Sequence, residues 1–91
     1  MTHDHRMPTM NRQIFNIGLT TEGTSLYLLL CGLNDEGASL TTNTVLSVWT
    51  GTREAFGKAL EELEGRNIVA KRLSDPEGQD VYQVVDAGKW K

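Results

Sequence analysis

The stretch that most limits how this chain can fold runs from Thr52 to Val69, TREAFGKALEELEGRNIV. Phe56, Leu60 and Leu63 recur at spacings of four and three, so they line one face of a helix. Thr52 stands where a hydroxyl can accept from the free N–H groups of the first turn. Asn67 is the non-glycine residue type best suited to the left-handed conformation that stops a helix. Ile68 and Val69 are β-branched and begin an extended segment. A capped amphipathic helix, a stop and a strand therefore follow one another without a gap.

The residues just before this unit predict what it packs against. Val45, Leu46, Val48 and Trp49 fall at i, i+1, i+3 and i+4, with Thr41 or Thr42 as the cap. The Thr and Val content of 41–50 favours a strand. The adjacent apolar pairs at 45/46 and 48/49 fit a helix better than strict alternation. Thr50-Gly51-Thr52 is a short break, and two helices joined by three or four residues make a helix-turn-helix.

Elsewhere the chain divides simply. Met1 to Gln13 reads as a disordered tail, since it has no apolar periodicity. His3-Asp4-His5 lies there without partners for a metal site, so no metal and no cofactor are expected. Ile14 to Leu19 is an apolar patch, expected as a strand or arm on the domain or on a second copy. Thr20 to Thr24 reads as a loop with Gly23, and Thr24 or Ser25 as the cap of a first helix over Leu26 to Leu33. Gly37 is its expected stop, and Leu40 is expected to form a one-residue bridge to a later hairpin. Ile68 to Leu73 and Val81 to Val85 read as two strands. Between them Asp75-Pro76-Glu77-Gly78 has type I turn chemistry. Asp86 opens the exit from the domain, and 87–91 reads as a C-terminal tail.

With 91 residues there is room for one small core. The longest apolar run, Leu26 to Leu33, is too short to cross a bilayer, so no membrane association is expected. Met1 to Asn11 holds no secretory hydrophobic segment. Cys31 is the single cysteine, so no intrachain disulfide can form, which suits a cytoplasmic chain. It sits in an apolar run and reads as a core residue rather than a nucleophile.

The order helix, short strand, helix, turn, helix, hairpin resembles the winged helix-turn-helix family. Leu40-Thr41 stands where that family opens its second helix, and Val45 and Trp49 fall on its buried positions. Thr52, Phe56, Leu60, Leu63 and Glu64 follow its third-helix pattern. Asn67-Ile68-Val69 matches its exit, and Asp75-Pro76-Glu77-Gly78 its wing. Two departures stand out: Leu46 replaces a residue that is often small, and the turn glycine is Gly51 rather than residue 50. The resemblance implies an α+β domain over 14–86, three helices with a small antiparallel wing hairpin.

For such a fold the resemblance implies double-stranded DNA as partner. Helix 52–66 would enter the major groove and the 71–82 hairpin would lie on the backbone. Arg53 would meet a guanine edge, and Lys58 a phosphate. Thr42 and Thr52 would donate to phosphates. Gly57 has no side chain and allows close approach, or is simply a tolerated surface glycine. Lys71 and Arg72 stand at the wing base. A homodimer would present two copies of these bases, the role implied being a small transcriptional regulator.

Charge opposes this expectation. The net charge is −3. Over 52–66, Arg53, Lys58 and Arg66 face one more acid than base: Glu54, Glu61, Glu62 and Glu64. Phosphate neutralisation supplies much of DNA affinity. The alternative is a winged helix protein-interaction or dimerisation module that binds no nucleic acid. An enzyme is not expected, because the chain has no phosphate loop, no nucleophile elbow and histidines only in the tail. Glu61, Glu62 and Glu64 read as a solvated helix face rather than as paired catalytic carboxylates.

Overall fold

A computed structural model describes residues 10–72 and 80–91. The expectations for residues 1–9, for Leu73 and for the Asp75-Pro76-Glu77-Gly78 turn lie outside the described residues.

Three helices are followed by two antiparallel strands, the layout of a winged helix-turn-helix. Helix α1 spans Thr21–Asp35, α2 Thr42–Val48 and α3 Arg53–Gly65. Strand β1 spans Val69–Arg72 and β2 Val81–Val84. Short 3-10 turns flank them at Arg12–Asn16 and Ala87–Lys89.

Each helix begins on a threonine hydroxyl. The Oγ1 atoms of Thr20, Thr41 and Thr52 accept from the N–H groups of Gly23, Thr44 and Ala55. Two helices end on a left-handed residue. After α1, Gly37 has φ +81° and Ala38 donates back to the Leu33 carbonyl at 2.9 Å. After α3, Asn67 has φ +58° and Ile68 donates to the Leu63 carbonyl at 2.9 Å. These are the same 6→1 closure, which satisfies a carbonyl that the helix leaves open.

The first helix starts earlier than expected. Thr20 caps it, and the segment from Thr21 to Thr24 is its first turn rather than a loop. Gly23 is buried there, against the side chain of Glu62 from α3. The glycine is thus a close-packing residue and not a break.

The core forms where α1, α3 and the hairpin meet. Leu26, Tyr27, Leu30, Val45, Leu63 and Ile68 are all within 1 % of complete burial. On α3, Phe56, Ala59 and Leu63 are buried and Leu60 is half-buried, so the stripe turns inward with Ala59 added to it. Burial of a large apolar side chain contributes about 1.5–3 kcal/mol. Helix α2 contributes Val45, while its last residue, Val48, is 41 % exposed.

In the hairpin Val69 pairs with Val84 and Lys71 with Tyr82. A third, one-residue strand lies on the far side of β2, where Thr41 bridges to Val81. The expected bridge at Leu40 thus falls one residue later. The Leu40 carbonyl still accepts from the N–H of Tyr82 at 2.8 Å.

Both expected tail regions are packed where they are described. Ile14 is buried, Met10 rests on the core, and the Asn11 N–H donates to the Tyr27 hydroxyl at 2.9 Å. Ile14 to Leu19 therefore serves as an arm of its own domain, its first three residues completing the 3-10 turn Arg12–Asn16 rather than a strand. At the other end the Trp90 ring meets Tyr27 edge-on at 5.6 Å, and its Nε1 donates to the Val85 carbonyl at 2.8 Å. The packed unit thus extends to Met10 and Lys91, beyond the 14–86 expected.

Candidate nucleic-acid interface

Helix α3 is aimed by its two ends. At its start Trp49 leaves α2 in an extended conformation, and its Nε1 donates to the Thr52 carbonyl at 2.9 Å. The Trp49 ring also packs edge-on against Phe56 at 5.9 Å. Trp49 thus braces the turn between α2 and α3. Toward the far end the Glu62 carboxylate accepts from the Thr20 N–H at 3.0 Å and the Thr20 hydroxyl at 2.7 Å. That clamp joins α3 to the cap of α1. Glu62 is therefore not part of the solvated face expected of it. Nothing local in EELE marks its second residue as bonded.

The seven candidate residues occupy two regions. Arg53 is exposed in the first turn of α3 and makes no hydrogen bond or ion pair among the described residues. Lys58 is one turn on, 3.5 Å from Glu54, with side chains 75 % and 81 % exposed. An ion pair that open contributes little and gives way easily. A Cβ placed on Gly57 would meet no atom within 4 Å, so no contact within the molecule requires a glycine there. Thr52 is held in its cap, Oγ1 3.0 Å from the Ala55 nitrogen. Thr42 stands at the start of α2 with Oγ1 3.0 Å from the Tyr82 hydroxyl.

The second region is the hairpin. Lys71 lies 3.6 Å from Asp80 across the sheet. Arg72 is exposed and donates from Nε to the Gln83 side-chain oxygen. The hydroxyls of Thr42 and Thr52 and the ammonium groups of Lys58 and Lys71 therefore already have internal partners. Arg53 has none among the described residues, and Arg72 keeps its two terminal nitrogens.

The outward face of α3 is acidic. At 100° per residue, Glu54, Lys58 and Glu61 point away from Phe56 and Leu63, with half-buried Glu64 on the flank. Cys31 takes no part in this surface. It is 2 % exposed, and burial pushes its thiol from an ordinary value near 9 up to about 11. A thiol in that state is a poor nucleophile.

Among the described residues no helix is long and apolar enough to cross a membrane. Comparison of the chain with family models, curated proteins and solved structures finds no match.

Proposed function

We propose that the chain is a DNA-binding winged helix domain, a small transcriptional regulator of the cytoplasm that inserts α3 into the major groove. Arg53 carries this reading. It is exposed at the start of the helix that follows the turn, and among the described residues no internal partner competes for its guanidinium. A guanidinium there suits the O6 and N7 acceptors of guanine. Lys58 gives up only a weak surface pair on reaching a phosphate. The hairpin follows α3 directly, where Arg72 keeps two terminal nitrogens for the backbone and Lys71 would exchange Asp80 for a phosphate. A homodimer would set two such helices on paired half-sites.

A second reading is favoured by the acid-rich outward face of α3. There Glu54 and Glu61, flanked by Glu64, outnumber Lys58. A module that binds a basic protein partner would use that face instead.

Selection of bound duplexes from a random pool at low salt separates the two. For the first reading, Arg53→Ala relaxes the preference at one base position and costs about 1–3 kcal/mol there. No duplex retained by the native chain at low salt removes the DNA reading and leaves the protein module.

A further inference from the structure

Four of the nine bases of this acidic chain, Arg66, Arg72, Lys89 and Lys91, lie near one another beside the hairpin. Arg72 and Lys89 line an open groove of about 550 Å³ on the outer face of the hairpin, with Asn67, Gln83 and Asp86. Arg66 and Lys91 border it. The Arg66 Nε donates to the Lys91 carbonyl at 2.7 Å, and the Lys91 N–H returns a bond to the Arg66 carbonyl at 2.8 Å. The Asn67 side chain donates to the Lys89 carbonyl at 2.8 Å. These bonds lace the C-terminal turn to the exit of α3. The strand register does the rest. Val69 and Tyr82 are buried on the inner face, so Ala70, Arg72 and Gln83 share the outer one.

Among the described residues two bases thus line a groove that holds one acid, Asp86, and two more are tied together beside it. Glu22, Glu54 and Glu62, with Lys58 among them, line a separate groove of about 520 Å³ between the start of α1 and α3.

We infer that the outer face of the hairpin and the C-terminal turn form a surface for the sugar–phosphate backbone of nucleic acid. This rests on the DNA reading above and adds Arg66, Gln83, Lys89 and Lys91 to it. The Gln83 oxygen accepts from the Arg72 Nε and leaves the two terminal guanidinium nitrogens without a bond among the described residues, and such a pair of donors can fork onto a phosphate. Lys89 and Lys91 add point charges, and side-chain amides commonly donate to phosphate oxygens. Charge decides against a protein partner here. Protein interfaces are built on a buried apolar centre, and among the described residues the exposed large apolar side chains, Phe15, Leu28 and Val48, lie outside this groove. Neutralisation at the hairpin end also supplies what the acidic face of α3 lacks.

The test measures random-sequence duplex binding by fluorescence anisotropy across a salt series, with circular dichroism confirming the fold of every variant. The variants are Arg72→Gln with Lys89→Gln, and Arg12→Gln as an exposed control that does not line the groove. Each phosphate left without its base should flatten the slope of log affinity against log salt by about one. The double variant should therefore flatten it by about two, and Arg12→Gln should leave it as it is. An unchanged slope in the double variant, with the native chain still binding, overturns this surface and leaves the α3 reading standing. Failure of the native chain to bind any duplex at low salt removes both. Sedimentation of the same samples checks the remaining occupant, the acidic groove of a second copy. A salt-sensitive oligomer abolished by the double variant, without change in the duplex slope, overturns the assignment too.

Discussion

Tyr27 and Cys31 are one turn apart on α1, and both hold their protons unusually tightly. Burial pushes the tyrosine hydroxyl from about 10 up to about 12 and the cysteine thiol from about 9 up to about 11. In the unfolded chain both would ionise at their ordinary values. A folded value raised in this way gives stability that is complete below the unfolded value and lost as pH climbs through the folded one. The loss should begin near pH 9 through Cys31 and near pH 10 through Tyr27. It should be complete by about pH 12, each group costing on the order of 2 kcal/mol. Urea midpoints taken across that range should fall, and Cys31→Ala should remove the part that sets in near pH 9, leaving the Tyr27 part from near pH 10. A midpoint that stays level throughout would contradict the burial account of both groups.

At the scale of the elements, the clamp between α1 and α3 governs where the exposed first turn of α3 points. Glu62→Gln keeps the shape but weakens the bonds to Thr20, and about 1 kcal/mol of stability should go with the carboxylate. Gly23→Ala attacks the same clamp from the other side, because its methyl group would occupy the space of the Glu62 carboxylate. The two changes together should cost less than the sum of each alone, since both break one contact. Thermal or urea unfolding of the pair measures this, and full additivity would show that the clamp is not shared. Helices α2 and α3 were legible because their signals are local: Thr41 and Thr52 precede apolar periodicity, and Asn67 stands alone between a helix and β-branched residues. The start of α1 was not. TTEGTS offers several hydroxyl caps, and Gly23 looks like a break until Glu62 is brought beside it from 39 positions away in sequence. The same holds for the candidate site. Arg53, Lys58, Lys71 and Arg72 could be named from sequence. Which of them are engaged by Glu54, Asp80 and Gln83, and that Arg66, Lys89 and Lys91 share one rim, are products of tertiary packing.

For the molecule as a whole, closure depends on Trp90. Its indole covers Tyr27 and bonds to the Val85 carbonyl, tying the last turn to the first helix. Removing that ring should cost about 2–4 kcal/mol, at or below the range for deletion of a buried aromatic, because Trp90 is only half-buried. Differential scanning calorimetry of Trp90→Ala should show a clearly lower Tm. A Tm that stays at the native value would mean that the C-terminal turn rides on the domain without holding it. The same variant should weaken the basic rim, because Lys89 and Lys91 flank the ring that anchors them.

Asn11 and Trp90 reach Tyr27 from opposite ends of the chain, one by a hydrogen bond to its hydroxyl and the other edge-on to its ring. A short peptide could therefore join Lys91 to Asn11 and close the backbone into a ring. New ends opened at the exposed Gly37–Ser39 connection would leave all three helices and the hairpin uncut. A chain so permuted should reach the same native arrangement, with its α2–α3 segment now leading synthesis and α1 arriving last.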